Sequence, residues 1–134
     1  MHRGKRYEPH AHAEALGLEV AYARLREGRK GEYRHRDKLI VVRRGLSGRQ
    51  ERCTLTHEIM HALAGHRRSP FGIVNARQEA HADRMASMHL ICPDEYALAE
   101  ELHGSHAGAL ADELDVTLHM LRVWRRAALL KVAS

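Results

Sequence analysis

A chain of 134 residues with 44% hydrophobic content is long enough for one modest core and too short for several. Aromatics make up only 4%, so the core must be built from Ala, Leu, Val, Ile and Met; the net charge of +5 suits an acidic partner or nucleic acid, and an Arg-favouring GC-rich genome explains it equally well. Two cysteines exclude a disulfide framework and suit a reducing cytosol, and no stretch is apolar enough to span a bilayer. The basic start lacks the apolar run of a signal peptide, so a cytoplasmic location is expected.

Residues 1–10 are polar and expected to be flexible. A short helix over roughly 9–16 follows and ends at Gly17, with His10 and His12 read as exposed. Residues 18–25 alternate apolar and polar, 27–31 form a turn, and 33–36 read as a second, charged strand. Residues 39–42 are the most β-branched run in the chain. These runs predict a small three-stranded antiparallel sheet. Ser47, three residues before Gln50, has the spacing of a capping box, and a helix runs from about 48 to 64 until Gly65 stops it. After an irregular connection, residues 75–91 are helical, with Ala76, Ala80, Ala82 and Ala86 allowing close approach. Pro93 ends that helix, and Asp94 is expected to cap the next, over 95–102. Segments 109–114 and 117–130 are amphipathic helices. The fold class expected is α+β, one domain over 1–134, with a C-terminal helical region that resembles a helix-turn-helix over about 105–130.

The chemistry concentrates in His57-Glu58-Ile59-Met60-His61. Residues four apart on a helix stand one above the other, so both imidazoles can hold one zinc ion from the same face. Glu58 then lies near the open side of the metal, where a carboxylate can take a proton from water. Twelve histidines make a chance pair a real alternative, but this helix carries an apolar stripe, and histidines on a core helix need a reason. Cys53, four residues before His57, faces the same side and reads as a small buried residue.

A catalytic zinc takes three protein ligands and keeps one position open. The best third candidate is Glu79, placed so that a helix returning through 65–74 lies beside the first. Asp83, one turn after Glu79, can accept the free N–H of a zinc-binding histidine. A solvated helix face is the plainer reading of both. His66, His81 and His89 are rival ligands. The frame H-E-x-x-H-x-x-G-x-x-H fails at Ala64 and Arg67; His66 lies past Gly65, His81 faces away from Glu79, and His89 is almost three turns beyond it. All three are read as structural or surface histidines.

The stretch Arg52-Cys53-Thr54-Leu55-Thr56-His57-Glu58-Ile59-Met60-His61 resembles the R-F-T-L-A-H-E-L-G-H block of the ImmA/IrrE metallopeptidases. The segment from Glu79 through Ala82-Asp83-Arg84-Met85-Ala86 to Pro93 resembles that family's second block, E-x-x-A-N/D-x-F-A-x-x-L-L-M-P. Cys53 replaces the usual aromatic, and Pro93 comes one residue late. The resemblance implies a zincin-like, gluzincin-type zinc protease, often encoded by phages or mobile elements. It implies His57, His61 and Glu79 as zinc ligands, Glu58 as general base, and a helix-turn-helix repressor as substrate. Two other readings remain: a toxin of a toxin–antitoxin pair, and a non-proteolytic anti-repressor or DNA-binding regulator in which Arg122, Arg125 and Arg126 contact phosphate. For the C-terminal helices, a lid or protein-docking surface is favoured over DNA binding. Oligomeric state is not legible.

Overall fold

The computed structural model describes residues 6–133, so residues 1–5 of the expected flexible N-terminus lie outside the described residues. Within the rest of that stretch Tyr7 is half-buried, and Pro9, also buried, opens α1 (Pro9–Ala15). Proline suits this first helical position because its missing N–H would have no partner there. His12 is half-buried, its Nδ1 2.8 Å from the Tyr7 hydroxyl.

Three strands follow: β1 (Glu19–Ala23), β2 (Gly31–Arg34) and β3 (Leu39–Arg43). The fold is α+β as expected, but the sheet is mixed. Its order is β1-β3-β2, with β1 parallel and β2 antiparallel to β3. The cause is burial. Ile40, Val41 and Val42 are each under 5% exposed, so β3 is buried on both faces and takes the centre. Residues 24–30 carry the chain past the end of β3 to its far edge. Arg43 secures that crossover, donating from Nε to the Arg29 carbonyl at 2.6 Å and from Nη2 to the Arg26 carbonyl at 2.5 Å.

Helix α2 (Gly48–Ala64) carries the motif. Ser47 Oγ accepts from Gln50 N at 3.1 Å, and the Gln50 side chain accepts from Ser47 N at 3.2 Å, closing the capping box. Gly65, at φ 67°, ends the helix in the left-handed conformation. α2 packs between the sheet and α3 (Gly72–Leu90), with Leu55 and Ile59 fully buried. Each such side chain contributes about 1.5–3 kcal/mol through burial. α3 starts a few residues earlier than the periodicity predicts. Asn75 stabilises the preceding loop, its amide donating to the Ser69 carbonyl and its oxygen accepting from Ser69 N, both at 2.8 Å. Ala82 and Ala86 are fully buried, which lets neighbouring helices close on α3.

Pro93 does not merely end α3. It is the first residue of α4 (Pro93–His103), so Asp94 lies in the first turn and is not the cap. Helices α5 (Ala107–Leu114) and α6 (Leu118–Ala133) are joined through buried Val116, and Asp115 adopts φ 56°. α6 packs on α3 and buries Met120 and Leu121. Among the described residues no helix is long and apolar enough to cross a membrane.

Candidate metal centre

His57 and His61 leave α2 one turn apart, their Nε2 atoms 3.0 Å from each other. Glu79 answers from α3, placing Oε1 2.9 Å from His57 Nε2 and Oε2 2.9 Å from His61 Nε2. The three side chains thus turn two nitrogens and a carboxylate towards one point. Bonds of 2.0–2.1 Å in a tetrahedron require donor separations of roughly 3.3 Å. The observed triangle is tighter by a few tenths of an ångström, which small side-chain rotations supply. Two imidazoles and a carboxylate fit a borderline metal ion with one position left open. Ligand atoms of His57, Glu58 and His61 also lie within 4.8 Å of one another. The two carboxylates differ in access: Glu58 is 7% exposed, whereas the Glu79 side chain is 62% exposed.

Asp83 sits where the helical spacing from Glu79 puts it. His57 Nδ1 donates to its Oδ1 at 2.7 Å. With Nδ1–H committed to Asp83, Nε2 is the nitrogen free to face a metal. Burial disfavours charge on His57, but the hydrogen bonds to Asp83 and Glu79 outweigh it and push the imidazole up to about 10. The bonds from His57 and His61 hold the Glu79 carboxyl well below its ordinary range. Burial pushes Glu58 upward despite the two nearby histidines. A metal ion at these nitrogens displaces their protons.

Two contributors are not singled out as partners by the sequence pattern. His119, from α6, places Nε2 2.8 Å from Asp83 Oδ2, so α6 reaches the centre through Asp83. His66 Nδ1 lies 3.0 Å from His61 Nδ1. It sits on the far nitrogen of His61, not at the donor triangle, because left-handed Gly65 folds the chain back over the last turn. Gly65 was the available signal for His66; nothing local marks His119. The His81 ring stacks edge-on with that of His66, at 5.3 Å between centroids. His89 lies beside Tyr7 and His12. Cys53 is buried, with 5% exposure, and its thiol is raised by that burial.

Gly31 fixes how closely β2 approaches. A Cβ there would stand 2.7 Å from Thr54 Cγ2 and 3.2 Å from Glu58 Cγ. Beside Glu58 opens a cleft of about 600 Å³, bordered by His61, Glu79 and Tyr33.

A small open sheet beside a His-Glu-x-x-His helix, with a carboxylate answering from the next helix, defines an α+β protein with a candidate metal centre. The chain belongs to the Peptidase_M78 family, whose model, described as an IrrE N-terminal-like domain, matches residues 13–123. A solved structure described as a Mycobacterium tuberculosis transcriptional regulator superposes with a TM-score of 0.65 at 16% identity. That match covers 90% of this chain and 42% of the other, and it is a likeness of fold. No curated protein matches the chain.

Proposed function

We propose that the chain is a zinc-dependent endopeptidase of gluzincin type that acts in the cytoplasm on a helix-turn-helix repressor and so relieves repression. The observation that carries the catalytic part is the triangle of His57, His61 and Glu79 with buried Glu58 beside it. Membership of a peptidase family supports it. The repressor rests on the resemblance of the two sequence blocks to ImmA/IrrE proteins. Two free cysteines suit a reducing compartment.

When bound, zinc polarises a scissile carbonyl and acidifies water. Glu58 takes a proton from the attacking water and returns it to the leaving amine nitrogen. Its burial favours that role, since a carboxylate whose proton affinity is raised by burial is a stronger base. Asp83 and His66 hold the two imidazoles in orientation from their far nitrogens. Gly31 brings β2 close against the stem of Glu58.

The test is Glu58→Gln, co-expressed with a helix-turn-helix repressor encoded nearby. General-base help is typically about 10²–10⁴-fold, so the variant should bind zinc stoichiometrically by metal analysis and leave the repressor intact on a gel. Cleavage that survives in Glu58→Gln removes this mechanism. A wild-type chain that holds zinc and binds the repressor without cutting it is an anti-repressor.

A further inference from the structure

The cleft beside Glu58 carries unbalanced positive charge. Arg26 and Arg29 border it from the crossover loop, and Arg67 and Arg68 from the connection between α2 and α3. Among the described residues none of these four guanidinium groups meets a carboxylate at ion-pair distance, whereas Arg6, Arg34 and Arg49 all do. The carboxylates of the cleft are engaged already. Glu32 accepts from Arg34 Nε at 2.7 Å, Glu79 faces the two histidines, and Glu58 is buried. Arg29 is close enough to influence Glu58, and Arg67 to influence Tyr33. Unpaired arginines on both walls of one hollow repel each other until an anion enters, and guanidinium forks match carboxylates geometrically.

We propose that this cleft is an acid-selecting subsite, binding a peptide segment with Asp or Glu side chains on both sides of the bond presented to Glu58. The inference rests on the peptidase reading above. Phosphate would feel the same charge, but the lining holds one phenol ring, Tyr33, and offers no run of aromatics on which bases stack. The floor of the cleft is the proposed catalytic face, so its natural occupant is the chain to be cut.

Zinc-loaded Glu58→Gln protein is titrated with a fluorescent glutamate-rich peptide and with its glutamine and lysine counterparts. An exposed charge pair is worth roughly 1.5- to 5-fold in binding. The glutamate peptide should therefore bind on the order of tenfold tighter than the glutamine peptide when several pairs form, with the lysine peptide weakest. Added salt should close the gap. Combining Arg29→Glu with Arg67→Glu should invert the order. Arg26→Gln and Arg68→Gln, at exposed loop positions, should each reduce the preference by roughly 1.5- to 5-fold if the double reversal does not fold. Equal binding of the three peptides, or a preference untouched by all these variants, overturns the subsite. So does an oligonucleotide that binds more tightly than the glutamate peptide and is lost in the double reversal. Wild-type cleavage of the glutamate and glutamine peptides at equal efficiency sinks the subsite alone. Acid-selective binding with no cleavage of any peptide or repressor sinks the peptidase reading and leaves the subsite standing.

Discussion

His57 and His61 are the same residue type, one turn apart on one helix, and their Nε2 atoms face the same point. Their far nitrogens differ. His57 donates to Asp83, which His119 also contacts, so a carboxylate ties it to α3 and α6. The far nitrogen of His61 meets another imidazole, that of His66, just past the helix end. A charge-assisted bond is roughly twice as strong as a neutral one. The His57 side of the centre is therefore anchored by an anion, and the His61 side is held more softly, next to the arginine-lined cleft. The contrast teaches that an i, i+4 motif specifies where two donors stand but not how firmly each is held.

The largest expected effects erase the contrast. His57→Ala, His61→Ala and Glu79→Ala should each strip most of the zinc, because every one removes a corner of the donor triangle. Metal analysis of the purified variants checks this, and full zinc content in Glu79→Ala would place the third ligand elsewhere. Gly31→Ala should act on the cleft side alone. Its Cβ must displace Thr54 or Glu58, and a misplacement near 1 Å can cost on the order of 10²-fold. Cleavage should fall by about that factor while zinc stays bound; loss of both together would show that the glycine supports the fold and not the base.

Asp83→Ala against His66→Ala sharpens the comparison directly. Removing the partner of a metal-binding histidine typically costs about 10–100-fold in affinity. Asp83→Ala should fall in that range, and His66→Ala should cost less than about tenfold, as read by competition with a zinc chelator. Equal losses would mean that charge does not distinguish the two sides. His119→Ala should be the smallest change. Its side chain is 69% exposed, so solvent screens its bond to Asp83, and zinc affinity should fall by no more than about threefold.

Much of this was legible locally. The capping box at Ser47 and Gln50, the stop at Gly65 and the shared face of His57 and His61 are consequences of short-range helix geometry, and the chain adopts them as read. The α+β class follows from β-branched runs preceding helical periodicity. Strand order was not legible, because residues 24–30 allow either a hairpin or a crossover. Burial of Ile40, Val41 and Val42 decided for the crossover. Arg125, a phosphate contact only in the less favoured DNA-binding reading, makes contacts within the fold: its Nε donates to the Tyr96 hydroxyl at 2.9 Å and its Nη2 to the Ser105 carbonyl at 2.8 Å.

The sequence by itself determined the motif helix and its ends, and it named His57, Glu58, His61, Glu79 and Asp83 as candidates, because spacing along a helix translates directly into shared faces. Only the tertiary structure decided that the Glu79 carboxylate reaches both Nε2 atoms, that Asp83 also meets His119, and that four arginines from two separate loops border one cleft. The side-chain contacts among them join residues as far as 36 positions apart. They depend on how helices and loops pack, and no local periodicity encodes that.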